Sequence, residues 1–149
     1  MGMGVTIENK YVLKKIQDVK DKLKAREGIN RKALVLLDRW VQKNFQTQGK
    51  LAMGEGWKTL SPVTIMSRQE KHHSKSTNWK ILIDTGTMRS RWKMFADAEI
   101  ASLESGVDYA IKHHKGWEVP ERRILPTIPQ AWEAVGPLYQ DWNRSIVES

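Results

Sequence analysis

The stretch NRKALVLLDRWVQKNF, residues 30–45, predicts a core helix in the first third of the chain. Its apolar side chains recur at steps of three and four residues, the spacing of one face of an α-helix. They are Ala33, Leu36, Leu37, Trp40, Val41 and Phe45. Asn30 is expected to cap the start of this helix, and the polar stretch 46–50 follows its end.

A second amphipathic pattern precedes this helix, over residues 9–27. Its apolar side chains again lie three or four residues apart. They are Val12, Ile16, Val19 and Leu23. Gly28 is expected to end this first helix, because glycine readily adopts the left-handed conformation found at helix ends. Two helices joined by a short glycine-containing link predict an αα-hairpin or a bent pair.

The middle of the chain predicts short elements. Ser61 and Pro62 are typical of a helix start, and this helix should end near Glu70. Residues 71–80 are polar, basic and aperiodic, which indicates an exposed loop. An apolar run at 81–83 then leads into a turn, and the imperfect alternation over 92–107 predicts two or three short antiparallel strands.

The last part predicts one helical turn and one longer helix. Residues 109–114 should form the turn, closed by Gly116, and three prolines keep the following segment extended or irregular. Gly136 and Pro137 are expected to reopen a helix over 136–149, with Leu138, Trp142 and Ile146 on one apolar stripe.

These elements predict an α+β fold. It consists of an N-terminal helical pair, a small antiparallel β-sheet, short helices and a C-terminal helix. A chain of 149 residues fits a single domain, 1–149, with a helical part at 1–50, a core at 57–126 and the last helix at 136–149. No apolar run approaches a membrane span, and the absence of cysteine excludes disulfides and thiolate metal sites.

The net charge of +8 is distributed unevenly along the chain. Residues 1–93 hold 20 basic and 8 acidic side chains, whereas residues 94–149 hold 5 and 9. A basic part can bind nucleic acid, but an opposed acidic part equally favours head-to-tail contact between copies of the chain. The candidates for a DNA-facing or intersubunit basic surface are Lys14, Lys15, Lys20, Lys22, Lys24, Arg31, Lys32, Arg91 and Lys93.

Seven tryptophans are many for this length, and three of them adjoin Lys or Arg. The pairs Trp57-Lys58 and Trp79-Lys80 and the triplet 91–93 are typical of stacking on single-stranded nucleic acid. Burial in the core or in a protein interface explains most tryptophans equally well. A basic nucleic-acid-binding protein therefore remains the alternative function.

The segment ILIDTGT, residues 81–87, is similar to the active-site loop of aspartic proteases. In dimeric members of that class, one such carboxylate per subunit activates water. A protease acting through Asp84-Thr85-Gly86 is thus a second alternative, although those folds are nearly all β. The structural interpretation is that Asp84 or Thr85 caps a short helix that starts near Thr87.

Two histidine pairs, His72-His73 and His113-His114, are the only candidate metal ligands of note. Adjacent side chains point in different directions and make a poor chelate, so neither metal nor cofactor is predicted. His113 or His114 is expected to pack against Trp117 or to bond to the backbone.

Three blocks in order resemble the phage virion morphogenesis family, the tail completion proteins of Mu-like and related contractile-tailed phages. The blocks are WKTLSPVT at 57–64, ILIDTGTMRS at 81–90 and YAIKHHKG at 109–116, the last followed by PERRILP at 120–126. Met88 stands for the family's usual leucine, Ile124 replaces an aromatic residue, and the adjacent arginines 122 and 123 leave the register of the family's arginine ambiguous.

The resemblance implies a structural subunit without catalysis, at the neck or head-proximal tail end of a virion and in the host cytoplasm during assembly. It implies a ring of copies, with a hexamer as one arrangement, next to tail tube or sheath and head–tail connector proteins. Transient contact with phage DNA is compatible with it, and no membrane is involved. The residues that carry the resemblance as structural positions are Trp57, Leu60, Ser61, Pro62, Asp84, Thr85, Gly86, Arg89, Tyr109, His113, Gly116, Arg122 and Pro126.

Overall fold

The computed structural model describes residues 9–72 and 80–148, and their fold is the predicted α+β arrangement. In chain order the elements are α1 (Lys10–Lys24), α2 (Arg26–Gln46), α3 (Lys50–Met53), α4 (Pro62–His72), α5 (Thr87–Ser90), β1 (Trp92–Ala96), β2 (Ala101–Ser105), α6 (Ala110–Lys115) and α7 (Ile128–Val147). Most of the loop predicted at 71–80, including His73 and Trp79, lies outside the described residues.

The first two helices form a bent pair, but the bend falls at Ala25, so the prediction that Gly28 ends α1 is wrong. The Ala25 N–H donates to the Asp21 carbonyl at 3.1 Å, and the Gly28 N–H donates to the Ala25 carbonyl at 3.1 Å. Glycine ends a helix by adopting a left-handed φ, which Gly28 does not do. Gly28 lies inside the first turn of α2.

Asn30 is likewise inside α2 and does not cap it, which corrects the second prediction for this region. The residue is buried, and its Nδ2 donates to the Asp97 carbonyl at 2.8 Å. Its Oδ1 accepts from the Tyr139 hydroxyl at 2.7 Å. These tertiary partners satisfy the amide, so Asn30 joins α2 to the turn after β1 and to α7.

The predicted core helix is confirmed, since α2 supplies the centre of the molecule. Val41 and Phe45 have no exposed surface. Around them pack Trp57, the apolar run 81–83, Met88, Ala110 and Ile124. Helix α3 follows after Gly49, which has a φ of 86° and reverses the chain toward Trp57.

The strands β1 and β2 form an antiparallel hairpin in which Trp92 lies opposite Ser105 and Ala96 opposite Ala101. Trp92 and Leu103 pack against the core. Because side chains alternate along a strand, Phe95 lies on the other face, and it is 57% exposed. We call residues 92–105 the hairpin.

The last helix begins at Ile128, so the prediction that Gly136 and Pro137 open it is wrong. Thr127 forms a capping box with Gln130, and a proline in the first turn needs no backbone N–H. Pro137 lies inside the helix, where a missing N–H removes one helical bond. The helix packs along α2 with Leu138, Trp142 and Ile146 half-buried, as the stripe predicts. None of the described helices is long and apolar enough to span a membrane.

Candidate functional site

A groove of about 1030 Å³ opens between α4, the turn before α5, and α6 with the segment that follows it. The three sequence blocks, which are far apart in the chain, meet here. Its walls include Leu60, Ser61, Pro62, Asp84, Thr85, Gly86, Tyr109, His113 and Arg122. The structure therefore brings most of the predicted motif residues to one place.

Arg122 lines the groove and joins the third block to the first. Its side chain is buried; Nε donates to the Lys58 carbonyl at 3.2 Å and Nη2 donates to the Thr59 carbonyl at 3.4 Å. Burial, followed by the nearby Arg68 charge, lowers the pKa of Arg122. A guanidinium used in this way holds two backbone segments together.

Trp57 makes a second connection between the same blocks. Its indole Nε1 donates to the Arg123 carbonyl at 2.9 Å, and its ring meets Phe45 edge-on at 5.3 Å between centroids. Gly49 lies directly against the ring: a Cβ there would be 2.2 Å from Trp57 Cδ1. The contact requires a residue without a side chain.

Asn44 reinforces this connection and was missed by the sequence reasoning. It is fully buried in α2; Nδ2 donates to the Arg123 and Ile124 carbonyls at 3.0 and 3.2 Å. Its Oδ1 accepts from the Ala52 N–H at 3.1 Å. The sequence feature that could have identified it is the position of an amide side chain three residues after Val41, on the apolar face of the helix.

The histidines of the third block divide their roles. His114 Nδ1 accepts from the Ile124 N–H at 3.1 Å, which confirms the prediction that one of the pair bonds to the backbone. Burial lowers the pKa of His114, and the charges of Lys115 and Arg123 add to this more strongly than Glu121 opposes it. Burial and then the Arg122 charge lower the pKa of His113. We call Trp57, His114 and Arg122, with their backbone partners, the junction.

Helix α5 starts at Thr87, as predicted, but its N-cap is Gly86, so the prediction that Asp84 or Thr85 is the cap is wrong. The Thr85 hydroxyl lies 2.7 Å from that of Thr87 and accepts the Thr87 N–H at 3.4 Å, while Gly86 takes a φ of 80°. The Asp84 carboxylate lies 3.1 Å from Lys71 Nζ and 3.8 Å from Arg68 Nε. The protease interpretation depends on a mostly β fold, whereas the sheet in the described residues has two strands.

The remaining motif residues have local structural roles. Ser61 caps α4, accepting the Thr64 N–H at 3.2 Å, and Tyr109 is the N-cap of α6. Gly116 ends α6 in the left-handed conformation, as predicted. Arg89 Nε donates to Gln42 Oε1 at 3.0 Å, which ties α5 to α2. Pro126 lies outside the main groove, in a smaller depression that His114 also lines.

The candidate basic residues do not form part of the groove. Most lie on α1, where Lys14, Lys15, Lys20 and Lys24 are exposed. Lys22 is half-buried and donates to the Ile146 carbonyl at 3.4 Å. Arg31 pairs with Glu27 at 2.6 Å and Lys32 is exposed; Arg91 and Lys93 are exposed at the start of the hairpin.

The tryptophans next to basic residues do not form a common stacking surface in the described part of the chain. Trp57 is buried and Trp92 packs against the core, while Trp79 is outside the described residues. Trp132 and Trp117 are the exposed ones, and Trp132 stacks on Tyr139 at 6.3 Å. Over residues 9–72 and 80–148, no group of three or more possible ligands could hold a metal ion.

No family model, curated protein or solved structure matches the chain. The resemblance to phage tail completion proteins therefore rests on the three sequence blocks.

Proposed function

We propose that the chain is a structural protein of a tailed-phage virion that completes or terminates the tail and helps to join it to the head. Copies form a ring at the head-proximal end of the tail, next to tube or sheath and connector proteins. The observation that carries the proposal is the junction, in which the first and third family-like blocks bond to each other rather than present a reactive group.

The junction supports a structural role because its polar groups are already occupied. Arg122 is bonded to two backbone carbonyls, Trp57 to the Arg123 carbonyl and His114 to the Ile124 N–H. Because the side chains of the junction bond to backbone groups of their own chain, they fix the shape of the groove. A fixed shape is what a ring subunit needs for repeated contacts with identical and different neighbours.

The uneven charge supports a ring of copies. A ring uses a heterologous interface, in which one surface of each subunit meets a different surface of the next. Complementary charge on the two surfaces favours that contact over contact between two like surfaces. The basic first 93 residues and the acidic remainder fit this requirement.

Mass measurement of purified virions tests the proposal. We expect the chain in every particle at a fixed low copy number, and particles with defective or unattached tails when its gene is disrupted. Absence from particles together with normal tails after disruption would contradict the proposal.

Complementation with Asp84→Asn separates this function from proteolysis. The substitution keeps the size of the side chain and removes the carboxylate that a protease requires, so normal tails are expected. Tails that assemble with the wild-type gene and fail with a folded Asp84→Asn protein, with loss of a measurable peptidase activity, would favour the enzyme.

A titration with duplex DNA at increasing salt tests the nucleic-acid alternative. A neck protein should bind weakly at physiological salt. A DNA-binding protein should show a steep fall of log affinity with log salt, with a slope of about −0.9 for each phosphate neutralised.

A further inference from the structure

Helix α1 is an amphipathic arm whose apolar face is open to solvent. None of its residues is buried, and Val12, Ile16, Val19 and Leu23 are 44–50% exposed. A 15-residue helix is about 22 Å long, and one of this length is marginally stable by itself in water. An arm with this pattern is stabilised when another surface covers its stripe. We call α1 the arm.

The rim of that stripe is basic on both sides. With about 100° between successive residues, Lys20 and Lys24 lie on one side of the stripe, and Lys15 lies on the other together with Lys22, which donates to the Ile146 carbonyl of α7. Asp18 and Asp21 lie on the opposite face of the helix. The covering surface should therefore be apolar with an acidic rim.

The hairpin has the complementary chemistry. Residues 92–111, the hairpin and the segment that follows it, contain Asp97, Glu99, Glu104 and Asp108 and one basic residue, Lys93, which lies directly opposite Glu104, so this region carries a net negative charge. Phe95 and Ile100 are 57% and 56% exposed. Glu104 is on the second strand, two pairs from the Phe95–Ser102 pair and on the same face, and both it and Glu99 are exposed.

We propose that the arm of one copy docks on the outer face of the hairpin of a second copy. The stripe would cover Phe95 and Ile100, and the lysine rim would face Glu99 and Glu104. Pairing of two arms is disfavoured because it would bring lysine rims together. The proposal rests on the ring of the proposed function, for which it names the two contacting surfaces.

Reciprocal charge reversal tests this contact in the full-length protein. We expect Lys15→Glu with Lys20→Glu to raise the dissociation constant of self-association by about tenfold or more, the change that loss of 1.4 kcal/mol produces. Glu99→Lys with Glu104→Lys should do the same. The four substitutions together should restore the wild-type constant within about threefold, because opposite charges again face each other. Sedimentation velocity over a concentration series measures all four proteins.

The matched control uses the same helix. Lys10→Glu with Lys14→Glu changes the net charge equally but lies on the face away from the stripe, so its effect should be clearly smaller. Because no arm residue is buried, circular dichroism and thermal unfolding should show an intact body in every arm variant.

Several results would overturn the docking. The first is a wild-type protein that stays monomeric, and the second is a Glu99→Lys, Glu104→Lys variant that associates as the wild type does. The third is a variant with all four substitutions whose dissociation constant is not restored. The fourth is a Lys10→Glu, Lys14→Glu control that weakens association as much as Lys15→Glu with Lys20→Glu. The docking would also be overturned if the Lys15, Lys20 variant and the Lys10, Lys14 control lost duplex DNA binding equally while self-association stayed unchanged. That result would assign the lysines of the arm to DNA binding.

The docking and the proposed function can fail separately. If the protein is present in virions but neither charge-reversal pair changes its dissociation constant of self-association, the docking is contradicted and the tail function stands. Restored association in a protein absent from virions would contradict the function and leave the docking standing.

Discussion

The arm and α2 are helices with similar apolar spacing, but only α2 is covered by its own chain. Val41 and Phe45 in α2 are fully buried, whereas Val12 and Ile16 in the arm are about half exposed. Periodicity predicts that a helix has an apolar face, and it does not say which molecule covers that face. The difference separates a body that folds around the junction from an arm that is available to a second copy.

Removal of Trp57 should have the largest effect on the body. Trp57→Ala leaves a cavity next to Phe45 and removes one of the two donors to the Arg123 carbonyl, so the free energy of unfolding should fall by about 4 kcal/mol. Urea unfolding measures it. Trp132→Ala is the control, because that ring is 58% exposed, and about 1 kcal/mol or less is expected. Equal losses would contradict the role of Trp57 as the centre of the junction.

Two glycine substitutions should act in opposite directions. Gly49→Ala places a Cβ against Trp57 at a φ of 86°, and we expect a loss of about 2 to 3 kcal/mol. Gly28→Ala meets no atom within 4 Å and lies in a helix, where alanine should add about 0.5 to 1 kcal/mol. Thermal unfolding distinguishes them. A destabilised Gly28→Ala would show that Gly28 does belong to a required break between α1 and α2.

Acid should destabilise the body through His114 of the junction and its neighbour His113. The pKa of His113 and of His114 is lowered in the folded state, so the unfolded chain binds more protons as the pH falls. The stabilisation is present above the unfolded pKa of about 6.5 and is lost as the pH falls toward the folded values. Urea midpoints between pH 7.5 and 5 measure this loss. The double variant His113→Asn, His114→Asn should depend less on pH over this range, and an unchanged slope would contradict the assignment.

The smallest effect on stability is expected in the arm. Ile16→Ser removes an apolar side chain that the body does not cover, so unfolding of dilute protein should change by about 0.5 kcal/mol or less. Self-association should weaken because the stripe is interrupted. A loss of several kcal/mol in dilute protein would mean that the arm packs on its own body.

Much of the fold could be predicted from local signals in the sequence. The apolar face of α2, the Ser61 cap, the strand alternation and the end of α6 at Gly116 each depend on neighbours along the chain. The errors arose where tertiary contacts or a stronger local signal prevailed. Asn30 bonds to Asp97 and Tyr139 instead of capping, and the Thr127–Gln130 capping box starts α7 before Pro137.

The residues of the candidate site could be predicted from the sequence, but their arrangement in space could not. The blocks marked Arg122 and Trp57, but their partners are backbone carbonyls 63 to 66 residues away, which no local pattern encodes. Asn44 was hidden for the same reason, because the carbonyls to which it donates are 79 and 80 residues away. The arm was predicted as a helix, and its exposure depends on where the rest of the chain packs.

Hydrogen exchange of the full-length protein at concentrations below and above its self-association constant tests the contrast between arm and body most directly. The amides of residues 10–24 should exchange rapidly when dilute and slow as concentration rises, and the hairpin should slow in parallel. Residues 41–45 should stay equally protected throughout. Arm amides already protected in dilute protein, or protection of the arm without the hairpin, would contradict docking between copies.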